Sequence, residues 1–118
     1  MSAATVAYVG HLVHSVPELM AVLQEHLDDH DGAVLPHLLI ADIERWAESE
    51  AASGRVDEGS ALNRVLMLLE GGMTADYSEI RELISASFLE HIPRPEEPGS
   101  ELRSLVGSPC AEVLTIIG

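Results

Sequence analysis

Residues 35–54 have the sequence LPHLLIADIERWAESEAASG, and this stretch decides the fold. Its apolar residues recur at steps of three and four, which places them on one face of a helix. They are Leu35, Leu39, Ile43, Trp46 and Ala47. Proline suits the first turn of a helix, and glycine suits the position after its last turn. The pattern therefore predicts an amphipathic helix that begins at Pro36 and ends at Ser53–Gly54.

The same periodicity predicts a helix on the N-terminal side of this stretch. Ser15 and Glu18 have the spacing of a capping box, and Pro17 lies between them in the predicted first turn. Glycine readily adopts the left-handed conformation that ends helices. We therefore expect this helix to stop at Asp31–Gly32.

Two more helices are predicted on the C-terminal side. The first covers about residues 60–70 and should stop at Gly71–Gly72. Ahead of the second, Asp76 and Glu79 repeat the capping-box spacing. The proline-rich residues 92–95 should end that helix, because proline cannot continue a helical hydrogen-bond ladder.

The two ends of the chain are ambiguous, since residues 5–13 and 113–117 are also suited to strands. A lone strand is not stable, and each segment could pair only with the other. We therefore expect helices at both ends, with Ser108–Pro109 as the cap and first turn of the last one. Residues 1–118 are then one all-α domain of five or six short amphipathic helices, as a bundle or a stack resembling helical repeats. The predicted core contains Leu39, Ile43, Trp46, Leu66, Leu69, Ile84 and Phe88.

Composition agrees with a helical core and suggests a location. Apolar residues make up 47% of the chain but aromatic residues only 3%, so the core must be mainly aliphatic, as in helix bundles. Cys110 is the only cysteine, which excludes an intrachain disulfide and makes a reducing cytoplasm the expected location. Residues 1–17 lack the basic leader of a signal peptide, and charged residues interrupt every later apolar segment. We expect no membrane partner.

The sign of the net charge indicates what kind of partner the chain binds. Twenty acidic residues stand against six arginines, and no lysine is present, so the net charge is -14. Such a field repels nucleic acid and anionic membranes and speeds encounter with cationic proteins. The absence of lysine also excludes P-loop, kinase-type and pyridoxal-phosphate chemistry. We therefore expect a basic protein partner, no cofactor and no catalytic residues.

Negative charge is concentrated in residues 25–58, where ten carboxylates oppose two arginines, a net charge of -8. The candidate partner-binding residues are Asp28, Asp29, Asp31, Asp42, Glu44 and Glu48. Glu44 and Glu48 are like charges one helical turn apart, which costs a helix about 0.2–0.5 kcal/mol, and we expect both on the polar face. A cost without a folding benefit favours a binding surface. A solvated face that serves only solubility has the same composition.

A metal site is the main chemical alternative. His26 and His30 lie four residues apart, the spacing at which two imidazoles on a helix can bind zinc, and Asp29 could complete the ligand set. A metalloprotease would need glutamate directly after the first histidine, where this chain has Leu27. The structural alternative places His26 at a helix edge and His30 near a helix C-terminus, where the dipole favours an imidazolium.

Two blocks of the chain resemble a family of small, acidic, all-helical bacterial proteins that look like immunity proteins. The first block is residues 32–43 followed by Trp46, and the second is residues 76–90 followed by the proline-rich residues 93–99. The resemblance implies an all-helical fold without known catalytic residues and carries no established activity with it. The acidic charge, the small size and the absence of catalytic motifs favour a non-catalytic binding module of immunity type, an inhibitor that neutralises a basic partner such as a toxin. The alternatives are a metal-binding protein or metal-dependent hydrolase using His26 and His30, or a homo-oligomeric helical scaffold that self-associates through residues 5–13 or 113–117.

Overall fold

The computed structural model describes residues 3–107 and 110–117, and these residues form α-helices and short 3₁₀ helices without a strand. The α-helices are α1 (Ala3–Ser15), α2 (Met20–Asp29), α3 (Pro36–Ala52), α4 (Ala61–Met73), α5 (Ser78–Ser87) and α6 (Cys110–Ile117). The 3₁₀ helices are Pro17–Leu19, Leu89–His91 and Ser100–Ser104. The prediction of an all-α fold with helices at both ends is confirmed. The predicted cap at Ser108–Pro109 lies outside the described residues.

Helix α3 is the central element, because it packs against α1, α2, α5 and the 3₁₀ helix Ser100–Ser104. It begins with Leu35 as the N-cap and Pro36 in its first turn, as the sequence predicts. It ends at Ala52 with Ser53 as the C-cap, and Gly54 follows with a positive φ of 78°. Because α3 has neighbours on several sides, it buries more than the single apolar stripe that its sequence shows.

One cluster of buried, mainly aliphatic side chains joins α1, α3, α4, α5 and α6, and the partly buried Val22 and Leu23 of α2 pack against it. Six of the seven predicted core residues are buried in it: Leu39, Ile43, Leu66, Leu69, Ile84 and Phe88. Trp46 is the exception, since its indole packs against the cluster but is only half-buried. The prediction that places Trp46 in the core is therefore correct only in part, because the indole lies at the edge of the core. The indole lies on the side of α3 that faces a groove between α2 and α3.

Helix α1 carries no charged residue, yet half of its surface faces solvent. Val9, Leu12 and Val13 are buried in the core, whereas Val6 is 40% exposed and Gly10 is also exposed. Among the described helices, none is by itself long and apolar enough to cross a membrane. Only α1 taken together with Pro17–Asp29 has the length and composition, and this pair is bent by 111°.

Both predicted capping boxes are wrong. Ser15 is the last residue of α1, and Glu18 instead accepts a 2.6 Å hydrogen bond from Arg64 of α4. Ahead of α5 the N-cap is Tyr77, which makes no side-chain cap. A side-chain cap does form at Ser60, whose hydroxyl accepts a 3.1 Å hydrogen bond from the Asn63 amide at the start of α4.

Gly71–Gly72 does not end α4, which continues to Met73. Gly72 is buried where α4 meets α1 and α5. A Cβ atom at this position would lie 2.5 Å from Cδ1 of Ile84 and 2.8 Å from the hydroxyl oxygen of Tyr8. That hydroxyl donates a 3.1 Å hydrogen bond to the Leu68 carbonyl, and burial raises the pKa of Tyr8. The glycine thus permits close packing of helices.

Candidate binding groove

A tight turn joins α2 to α3 and sets the geometry of the groove between them. Asp31 and Gly32 both have positive φ, 54° and 82°. The Gly32 amide donates a 2.8 Å hydrogen bond to the Leu27 carbonyl, which closes the end of α2 as a glycine cap does. The predicted stop at Asp31–Gly32 is confirmed. The short connection holds the C-terminal half of α2 against the N-terminal half of α3.

His26 fastens α2 to α3 and is only 1% exposed. Its Nε2 accepts a 3.1 Å hydrogen bond from the Leu35 backbone amide, and its Nδ1 lies 3.1 Å from Oδ2 of Asp42. A backbone amide can only donate, so Nε2 carries no proton and the proton of the neutral ring is on Nδ1. His26 therefore donates to Asp42, and the interpretation that places it at a helix edge is wrong.

His30 is the C-cap residue of α2, as the structural alternative predicts. Its Nδ1 donates a 2.8 Å hydrogen bond to the His26 carbonyl, and the two ring centroids lie 4.4 Å apart. Both nitrogens of His26 already have partners, so a metal could bind it only at the expense of those bonds. Among the described residues, no three His, Cys, Asp or Glu side chains are arranged to hold a metal ion.

A cavity of about 320 Å³ lies between α2 and α3, and we call it the acidic groove. It is lined by Val22, Glu25, Asp29, Asp42, Arg45 and Trp46. Asp42 is ion-paired with Arg45 and hydrogen-bonded to His26. Glu25 and Asp29 are exposed and, within the described part of the chain, their carboxylates make no hydrogen bond or ion pair. The groove thus presents two unpaired carboxylates beside an indole face.

The structure brings two of the six candidate residues, Asp29 and Asp42, into this groove. Asp28 and Asp31 are exposed but do not line it, and Asp28 accepts a 3.1 Å hydrogen bond from Gln24. Glu48 is half-buried beside Gly99, away from the groove.

Sequence reasoning left Glu25 and Trp46 out of the candidate binding residues. The available signal was spacing, because Glu25 precedes Asp29 by four residues and Trp46 follows Asp42 by four. Each pair therefore occupies one side of its helix, and α2 and α3 turn these sides toward the groove.

Glu44 corrects the prediction most strongly. It is 1% exposed, and its Oε2 has no hydrogen-bond partner within the described residues. Burial, followed by a hydrogen bond to Glu48 and the charge of Glu48, raises the pKa of Glu44 to about 9. The expectation that Glu44 lies on the polar face with Glu48 is therefore wrong. Replacing Glu44 with arginine would bury a cation and destabilise the fold instead of altering a binding surface.

Two of the cavities outside the acidic groove border helix α1. The larger, about 440 Å³, is lined by the N-terminus of α3 together with Thr5, Glu79 and Glu82. The other, about 290 Å³, lies between α1 and α2 and is lined mainly by aliphatic side chains, among them Val6 and Met20. These two residues are 40% and 53% exposed. The second cavity is an apolar groove that the described residues leave open to solvent.

No protein-family model, curated protein or solved structure matches this chain. The resemblance to immunity proteins therefore stays a prediction. Function has to be inferred from the geometry of the acidic groove and from the charge of the chain.

Proposed function

We propose that the protein is a non-catalytic binding module that captures a basic protein through the acidic groove. The observation that carries the proposal is the pair of unpaired carboxylates, Glu25 and Asp29, beside the half-buried indole of Trp46. Side chains that end in a cation suit such a site, because carboxylates pair with the charge and the aromatic face attracts it. Within the groove, the ion pair between Asp42 and the guanidinium of Arg45 is an example of the pairing that we propose for the partner.

Arginine is the side chain of the partner that we expect to bind in the acidic groove. Its planar guanidinium can stack on Trp46 while it donates hydrogen bonds to a carboxylate, whereas lysine offers a strongly hydrated point charge. A cation over an aromatic ring contributes about 0.5–1 kcal/mol at an exposed site and more where water is excluded. We therefore expect the partner to insert at least one arginine between α2 and α3.

The whole-molecule charge supports the same partner. A net charge of -14 steers a basic protein toward the chain over long distances and accelerates association. An acidic inhibitor that neutralises a basic toxin is drawn to its target by the same electrostatic attraction. We propose this immunity-type role as the most specific form of the function. The buried thiol of Cys110 fits a reducing compartment, so we propose a cytoplasmic location.

The test uses a short oligo-arginine peptide as the probe and Trp46, the single tryptophan, as the fluorescent reporter. The double variant Glu25→Gln/Asp29→Asn should weaken binding about threefold to tenfold, the effect of losing two partly exposed ion pairs. Oligo-lysine of equal length should bind more weakly than oligo-arginine to the wild-type protein.

The matched control is Asp57→Asn/Glu58→Gln, which removes the same charge from an exposed loop outside the groove. It should change affinity much less. Equal weakening by the two double variants, with no preference for arginine, would show that only net charge attracts the peptide and would refute the groove.

Self-association is the second candidate function, and the apolar groove between α1 and α2 favours it. Val6 and Met20 are exposed there on a helix pair whose N-terminal member, α1, has no charged residue. Two copies with a charge of -14 each repel one another, so contact between them is least unfavourable at an uncharged face.

A further inference from the structure

Glu44 and Glu48 form a carboxyl pair that the acidic groove does not use. They lie one turn apart on α3, and Glu44 is almost completely buried. Its Oε2 lacks a hydrogen-bond donor among the described residues. Burying an ionised carboxylate without a hydrogen-bond donor costs free energy, so the protonated form of Glu44 is favoured.

Glu48 of the pair lies against a segment that we call the strap, residues 93–104. The strap follows the 3₁₀ helix Leu89–His91, and its own 3₁₀ helix, Ser100–Ser104, packs on α3. Gly99 has a φ of 91°, and Oε1 of Glu48 stands only 2.6 Å from the place of a Cβ atom on it. Leu102 is fully buried. Glu48 is thus wedged between α3 and the strap.

We propose that Glu44 and Glu48 share one proton that holds the strap on α3, and that loss of this proton as the pH rises releases the strap. Two carboxyl groups one helical turn apart, one of them buried, oppose the ionisation of both, whereas one proton between them satisfies both. Repulsion between the two anions would push the half-exposed Glu48 outward. Because Glu48 abuts Gly99, that movement would displace the strap.

The electrostatic surroundings agree with this proposal. The pKa of Glu44 is raised to about 9 by burial first and then by Glu48, and Arg45 opposes the shift. Both of these charged neighbours belong to α3. The strap contributes Arg103, which donates a 3.2 Å hydrogen bond to the Pro93 carbonyl. Its other charged side chains, at positions 94, 96, 97 and 101, are exposed.

The sign of the pH dependence follows from linkage. Glu44 has a higher pKa with the strap closed than the ordinary value of 4.5, which applies when the strap is open. The open state therefore binds fewer protons between these two values. Opening should rise with pH across this window, by at most about tenfold per pH unit for one proton, and should level off above it.

The experiment is limited trypsin digestion of the full chain between about pH 6 and pH 8.5, inside the linkage window. Cleavage after Arg103, in the strap, is divided by cleavage after Arg55, in an exposed loop, which cancels the pH dependence of trypsin itself. The ratio should rise severalfold per pH unit in the wild-type protein. It should stay flat in Glu44→Gln, whose amide is neutral at every pH.

Glu101→Gln is the matched control, because it removes an exposed carboxylate of the strap and should leave the slope unchanged. Carbon-13 NMR titration of the Glu44 carboxyl in the wild-type protein provides an independent measurement and should show a midpoint above about pH 7. A flat wild-type ratio, a slope that survives in Glu44→Gln, or a midpoint near the ordinary glutamate value would each overturn the proposal.

Discussion

At the residue scale, adjacent glycines in α4 have opposite roles. Gly71 is exposed and has open space around its Cα atom, whereas Gly72 faces Ile84 and Tyr8 at distances too short for a Cβ atom. The two residues have the same sequence context and the same helical backbone. Only the helices that pack over one of them distinguish the two.

We therefore predict opposite effects of alanine at these positions. Gly72→Ala should destabilise the protein by about 1–3 kcal/mol, because an overpacked contact outweighs the gain in helix propensity. Gly71→Ala should stabilise it by up to about 1 kcal/mol, since only propensity changes. Urea unfolding followed by Trp46 fluorescence measures both. Stabilisation by both substitutions would show that α4 has room at Gly72.

At the element scale, the clamp at His26 determines how α2 is held to α3. One imidazole accepts from the amide that precedes α3 and donates to Asp42 within α3. Asp42 is thereby held against Arg45 at the edge of the acidic groove. The groove therefore depends on a buried residue that does not line it.

We predict that His26→Ala destabilises the protein by about 2–4 kcal/mol, because it leaves a buried amide without an acceptor and opens a cavity. It should also speed hydrogen exchange of the Leu35 amide in particular. The control is His30→Ala, which removes a half-buried ring and should leave the Leu35 amide protected. Equal protection of that amide in His26→Ala would contradict the clamp.

At the scale of the whole molecule, net charge separates the two candidate functions. Charges on the surface are screened over a Debye length of about 8 Å at physiological ionic strength. The net charge of -14 favours binding of a basic partner, whereas it opposes the association of two identical copies. Salt therefore acts on the two processes in opposite directions.

We predict that the on-rate of the oligo-arginine peptide falls steeply as salt is added, as stopped-flow fluorescence can measure. Any self-association should instead strengthen with salt in analytical ultracentrifugation. Val6→Glu should abolish self-association without changing peptide binding, because Val6 lines only the apolar groove. A peptide on-rate indifferent to salt would argue against electrostatic capture.

Local chemistry in the sequence was sufficient to predict that the chain is helical, although it did not predict every helix end. The spacing of Leu39 and Ile43, the proline at the start of α3 and the glycines after α2 and α3 act within a few residues of chain, so their effects can be predicted without tertiary contacts. The acidic charge and the absence of lysine are likewise properties of composition. They supported an all-α binding protein and excluded whole classes of enzyme.

Only the tertiary structure decided which polar residues face solvent. Glu44 and Glu48 have the same spacing as any exposed pair, but in the fold Glu44 is buried and Glu48 is wedged against Gly99 of the strap. The sequence pattern made His26 a candidate metal ligand, but in the structure Leu35 and Asp42 are hydrogen-bonded to its two ring nitrogens. Glu25 and Trp46 became neighbours because the turn at Gly32 folds α2 onto α3. These pairings join residues that are distant along the chain, and periodicity along one helix carries no information about what covers its other faces.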